Sequence, residues 1–129
     1  MEPIRALLIG AGNRGMDAYG NFALRHPYLF RFVGVADINE KRRTRFAELH
    51  GIPAPMVVSD WSELLADSPE ADVVFVCTPD RLHVEPARAA MRSGFDVVLE
   101  KPIAVDYADC RALAVEAEQL RRHLIVCHV

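Results

Sequence analysis

The stretch Ile4–Gly15, IRALLIGAGNRG, decides the reading of this chain. A short apolar run, Ala6-Leu7-Leu8-Ile9, breaks into Gly10-Ala11-Gly12-Asn13-Arg14-Gly15. The run reads as a buried strand, and the alanine- and aromatic-containing segment after the turn can be helical. In that setting the three glycines take separate duties. Gly10 makes the tight turn, Gly12 lets the backbone approach a pyrophosphate, and Gly15 lets the new helix pack on the strand. The free N–H groups at the helix start, around Asn13 and Arg14, then face the phosphates. The plainer alternative is a glycine-rich turn with no ligand. The preceding strand, the spacing and an acidic residue downstream weigh against it.

That residue is Asp37, at the end of a second buried-type run, Arg31–Asp37 (RFVGVAD). The interval from the glycines to Asp37 suits a βαβ unit. A carboxylate at the tip of the second strand accepts hydrogen bonds from the adenosine ribose hydroxyls and repels a 2′-phosphate, which favours NAD over NADP. Its alternative duty is to cap the following helix. Lys41, Arg42 and Arg43 form a basic cluster beside this corner that could hold a 2′-phosphate, although such charges more often form a solvated helix face. NAD is the expected cofactor and NADP the second candidate.

With 129 residues, 51% of them hydrophobic and 26% charged, the chain suits one folded domain and not a disordered segment. A net charge of −3 and a pI near 5.9 give no electrostatic case for nucleic acid or a membrane surface. The N-terminal apolar run is interrupted by the glycines and lacks a small-residue cleavage site, unlike a signal peptide. No apolar segment is long enough to span a bilayer. Cys77, Cys110 and Cys127 are too widely spaced for a metal framework, so reduced thiols in a cytoplasmic protein are expected.

Strand-like runs recur at Arg5–Ile9, Phe32–Ala36, Pro55–Val58, Val73–Cys77, Val97–Leu99 and Leu124–His128. Helical candidates lie near Asn13–Arg25, Asn39–His50, Ser62–Ala66, Val84–Ser93 and Tyr107–Arg122. Gly51 and Gly94 provide helix stops, and Pro86 falls where the fourth helix begins. Near-continuous apolar strands alternating with helices imply an α/β fold, a doubly wound, mostly parallel sheet of about six strands. The expected strand order is 3-2-1-4-5-6, in one Rossmann domain spanning residues 1–129.

Two further loops fall at strand ends: Cys77-Thr78-Pro79-Asp80-Arg81-Leu82-His83 and Glu100-Lys101-Pro102. Open α/β sheets bind ligands at the edge where these loops gather. With Gly10, Gly12, Gly15 and Asp37, the order TP-x-x-x-H then E-K-P resembles the N-terminal domain of the Gfo/Idh/MocA family (glucose–fructose oxidoreductase, inositol dehydrogenase and rhizopine catabolism). The resemblance runs from the first strand to the end of the chain. It implies an NAD(P)-dependent oxidoreductase acting on hydroxyl groups of sugars, cyclitols or related polyols. Lys101 inherits the role of the family's E-K-P lysine, near substrate and nicotinamide. Cys77, Thr78 and Pro79 inherit contacts to the nicotinamide-side ribose and pyrophosphate, and Glu100 an ordering role. Relatives often carry Asn at the position of Asp80. His83 would either contact the cofactor or fix its own loop through the local backbone. A surface lysine preceding a helix is the alternative for Lys101. Only two of the fifteen basic residues are lysines, however, which favours a specific need for an ammonium there. Trp61 is expected to pack at the start of a short helix, and His123 and His128 attract no role.

Members of the family commonly continue into a C-terminal α/β domain that forms the substrate wall and a homo-oligomer interface. The expectation is therefore the nucleotide-binding part of a longer enzyme, binding cofactor without turnover by itself. Three alternatives remain at this stage. One is an NAD-dependent glycosidase of the same family. Another is a non-catalytic NAD(H)-binding regulatory module. The third, an S-adenosylmethionine-dependent methyltransferase, is disfavoured by the E-K-P loop and by the lack of an acid just before Gly10.

Overall fold

The computed structural model describes residues 2–67 and 70–127. Its strands are β1 (Ile4–Ile9), β2 (Phe30–Ala36), β3 (Val57–Val58), β4 (Val73–Val76), β5 (Asp96–Glu100) and β6 (Leu124–Cys127). They form one parallel sheet in the order β3-β2-β1-β4-β5-β6, as the alternation of runs predicts. The sixth expected strand ran to His128, which lies outside the described residues.

β1 is the pivot, and its continuous apolar run has a direct cause. Successive side chains point to opposite faces of a strand. Leu7 and Ile9 enter one core with Leu64, Met91 and Leu113, while Ala6 and Leu8 enter the other with Phe32 and Phe46. Helices α3 (Trp61–Ala66), α4 (Val84–Arg92) and α5 (Tyr107–Leu120) supply the first core. A π-helical segment (Arg14–Gly20), α1 (Asn21–Arg25) and α2 (Glu40–His50) supply the second. A strand buried on both faces has no polar side to display, so alternation disappears.

β2 carries a bulge. Ala6 pairs with Phe32 but Leu7 pairs with Gly34, which leaves Val33 as the extra residue. A Cβ on Gly34 would lie 2.8 Å from both Leu64 and Leu7, so only hydrogen fits.

Three elements differ from expectation. The first helix is not uniform, because Arg14–Gly20 is π-wound before α1 begins. The third strand shrinks to two residues, preceded by a 3-10 turn at Ala54–Met56. Pro53 and Pro55 have no N–H to give to a ladder. The last helix stops at Leu120, with Arg121 left-handed at φ 54°. Side chains cap the starts of α2, α3 and α5: Asn39 Oδ1 accepts from Arg42 N at 3.0 Å, Asp60 Oδ1 from Ser62 N and Asp106 Oδ1 from Asp109 N. Trp61 is the first residue of α3 and packs partly buried against the first core.

Candidate functional site

The carboxyl ends of β2, β1, β4 and β5 carry, in spatial order, Asp37, Gly10–Gly15, Cys77–Thr78 and Glu100–Lys101. Adjacent strands stand about 4.8 Å apart, so the row from Asp37 to Glu100 spans about 14 Å. Lys101 and Gly12 share this edge. Sequence distance vanishes here because every crossover returns to the same side of the sheet.

The three glycines differ in what constrains them. Gly10 has φ 93°, and a Cβ there would lie 2.8 Å from the backbone carbonyl of Cys77 and 2.9 Å from Thr78 N. A Cβ at Gly15 would collide with the Gly10 carbonyl and crowd the Leu8 side chain. Both are packing requirements of the turn itself. Gly12 is different, because the nearest atom to its hypothetical Cβ is Arg42 Nη1 at 4.0 Å. Nothing in the protein demands a glycine there, and the space above it is open. Bare backbone with room above it is what close approach of a phosphate requires, which is the test a dinucleotide site must pass.

Asp37 is buried, and both its oxygens are engaged. Oδ2 accepts from Ala11 N at 2.8 Å and Oδ1 from Asn39 N at 2.8 Å. The cap on α2 is made by Asn39, not by Asp37. Each carboxylate oxygen keeps a further lone pair, so ribose hydroxyls still have acceptors. Arg43 turns inward, its Nη1 donating to Asp37 O at 3.3 Å, whereas exposed Arg42 stands over the glycine turn.

Glu100, buried at the end of β5, is held from the π-helical segment. Its Oε1 accepts from Arg14 Nε at 2.9 Å and from Tyr19 Oη at 2.7 Å. Arg14 also lies over the Tyr19 ring, 5.6 Å from its centroid. Burial works against ionising Glu100, but the hydrogen bonds from Tyr19 and Arg14 win and keep its carboxyl below the usual range. Burial raises the Tyr19 hydroxyl, with Cys127 and Glu100 adding to it, so Tyr19 stays a donor. Burial likewise raises the Cys77 thiol, helped by the charge on Glu100. Cys77 is thus a neutral packing group beside the carboxylate, not a reactive thiolate.

His83 is fully buried at the start of α4. Its Nε2 lies 2.8 Å from Thr78 O and its Nδ1 2.7 Å from Pro102 O, joining the two loops through their carbonyls. Thr78 Oγ1 donates to Leu82 O at 3.2 Å, closing its own loop. Pro79 and Lys101 are exposed, and Asn13 and Arg14 face solvent at the start of the π turn. Sequence reasoning missed Tyr19 and Cys127. A tyrosine five residues after Arg14 carries no motif, and its partner lies 81 residues away. Among the described residues there is no cluster of His, Cys, Asp and Glu that could hold a metal, and no helix is long and apolar enough to cross a membrane.

Comparison with known proteins agrees with this geometry. The family described as "Oxidoreductase family, NAD-binding Rossmann fold" matches residues 4–128. A putative UDP-kanosamine synthase oxidoreductase subunit of Amycolatopsis mediterranei is 31% identical over 111 residues, covering 86% of this chain and 29% of the relative. A glycosyl hydrolase family 109 protein of Streptomyces coelicolor is 31% identical over 129 residues, covering 95% of this chain and 27% of the relative. The crystal structure of the WlbA dehydrogenase from Bordetella pertussis, in complex with NADH and UDP-GlcNAcA, superposes with a TM-score of 0.86 at 26% identity. That match covers 98% of this chain and 38% of the other. The chain therefore spans less than a third of the length of these two curated relatives.

Proposed function

The chain belongs to the Gfo/Idh/MocA oxidoreductase family as its NAD-binding Rossmann domain, and from that premise we propose that it serves a cytoplasmic enzyme moving hydride between NAD and a sugar, cyclitol or related polyol. One observation carries the reading. Asp37, the open space over Gly12 and the Glu100–Lys101 loop lie in a row along one sheet edge, in the order a dinucleotide needs from adenosine to nicotinamide. When bound, the nicotinamide supplies the hydride chemistry.

The residues divide the remaining work. Asp37 holds the adenosine ribose, and Gly10, Gly12, Asn13, Arg14 and Gly15 frame the pyrophosphate. Cys77, Thr78, Pro79 and His83 form the wall on the nicotinamide side. Lys101 is the catalytic residue, its ammonium polarising the reacting oxygen of the substrate and stabilising charge as hydride leaves or arrives. Substrate specificity, the rest of the acid–base machinery and the homo-oligomer contacts belong to a C-terminal domain beyond these residues.

Calorimetric titration of the 129-residue chain with NADH and NADPH tests the cofactor part. Tighter binding of NADH supports the reading, and failure of both to bind overturns it. Arg42 beside Gly12 keeps NADP as the second cofactor candidate. A glycosidase that uses NAD transiently is a second reading, favoured by the 31% identity to a glycosyl hydrolase family 109 protein. Assaying the full-length enzyme for release of a glycoside's leaving group, against net reduction of NAD with free sugars, separates the two.

A further inference from the structure

Among the described residues Lys101 has no side-chain partner that explains how its backbone is aimed, but both of its neighbours are gripped, from opposite faces of the sheet. On the face of the π-helical segment, Arg14 Nε and Tyr19 Oη converge on Glu100 Oε1 at 2.9 and 2.7 Å. On the face of α4, His83 lies 2.7 Å from the Pro102 carbonyl and 2.8 Å from that of Thr78. The π winding makes the first grip possible. Residues five apart on an α-helix diverge by about 140°. The wider i→i+5 winding brings them towards the same side, so Arg14 and Tyr19 reach one carboxylate oxygen together. Such windings are rare and are concentrated at functional sites.

We propose that Tyr19 is a positioning residue which, with Arg14, holds Glu100 and thereby fixes the loop that carries Lys101 to the nicotinamide end of the dinucleotide. The inference rests on the cofactor reading above and adds to it a residue and a division of labour. The turn Gly10–Gly15 serves the phosphates directly, while the next turn of the same segment serves the far end of the cofactor through Glu100. The hydroxyl of Tyr19 suits this duty because its buried setting keeps it protonated and able to donate.

The division gives a sharp test on the 129-residue chain, using ligands that contain or lack the nicotinamide ring. Tyr19→Phe removes one oxygen and keeps the ring that packs on Phe75. It should weaken NADH binding roughly three- to tenfold, less than the full value of a hydrogen bond to a charged group because the effect acts through a loop. Binding of ADP-ribose should stay within about twofold. Hydrogen exchange should quicken at the amides of Lys101 and Ile103 and not in β1. Glu100→Gln, which keeps shape and removes charge, should repeat the pattern and serves if Tyr19→Phe does not fold. Equal losses for NADH and ADP-ribose would mark a structural role in the phosphate turn and overturn the proposal. Unchanged binding of both ligands would overturn it too. Failure of the unmodified chain to bind NADH while binding ADP-ribose also defeats this inference and leaves the adenosine site standing. Binding of neither ligand defeats the cofactor reading itself.

Discussion

Asp37 Oδ2 accepts the backbone hydrogen of Ala11 at 2.8 Å, so the carboxylate at the tip of β2 braces the glycine turn at the tip of β1. One residue therefore orders the turn, and the cofactor reading proposed above gives it a second duty, presenting acceptors to a ribose. Oδ1 extends the brace to Asn39 N. Removing the side chain leaves a buried amide without a partner, which costs about 1–3 kcal/mol.

Asp37→Ala should accordingly lower thermal stability and narrow or invert the preference for NADH over NADPH. Calorimetry with both cofactors and a thermal melt measure the two effects. A drop in stability with an unchanged preference would restrict Asp37 to the bracing duty alone.

The glycines should separate by what a methyl group would meet. Gly15→Ala drives Cβ into the Gly10 carbonyl, which is backbone and cannot yield, so stability should fall by about 2 kcal/mol or more. Gly12→Ala meets nothing closer than 4.0 Å. It should leave the melting temperature nearly unchanged while weakening NADH binding at least tenfold, because the methyl occupies the phosphate's space. Denaturant unfolding of both variants, paired with NADH titration, checks the contrast.

His50 should make the fold acid-sensitive. Its Nε2 is buried without a hydrogen-bond partner among the described residues, and its ring stacks on Phe46 with centroids 4.1 Å apart. Burial pushes its pKa from 6.5 down to about 4. The folded state then binds fewer protons than the unfolded state between these values, so stability falls as pH drops from about 6.5 towards 4. His50→Phe keeps the stacking and removes the titration. Its unfolding free energy should vary less across that window than that of the unmodified chain, by an amount on the order of 1–3 kcal/mol. Identical pH profiles for the two proteins would rule out His50 as the source.

Lys101→Ala, placed in the full-length enzyme, should depress hydride transfer by on the order of a hundredfold or more, with little change in NAD affinity. The ammonium acts on charge that develops mainly in the transition state. Single-turnover reduction of NAD at saturating cofactor and substrate reads that step directly. An unchanged rate would assign Lys101 to the surface.

The sequence alone determined the sheet, the strand order and the positions of the three loops at its carboxyl edge. Each depends on short-range patterns: apolar runs, glycine spacing, Asp37 at a strand end, and the E-K-P triplet at residues 100–102. A parallel sheet with right-handed crossovers then forces those loops to one edge. The tertiary structure alone decided how the loops are held. Arg14 and Tyr19 meet Glu100 only because β1 and β5 are separated by β4 in a fixed register and because the segment between them is π-wound. The bridge from His83 to Thr78 and Pro102 depends likewise on where β4 and β5 end. Gly12 and Gly15 belong to one motif, yet only the packed turn distinguishes the glycine the fold requires from the one with room for a side chain. Local patterns record where backbone must bend, whereas contacts across 81 or 86 residues depend on side-chain reach that no local pattern contains.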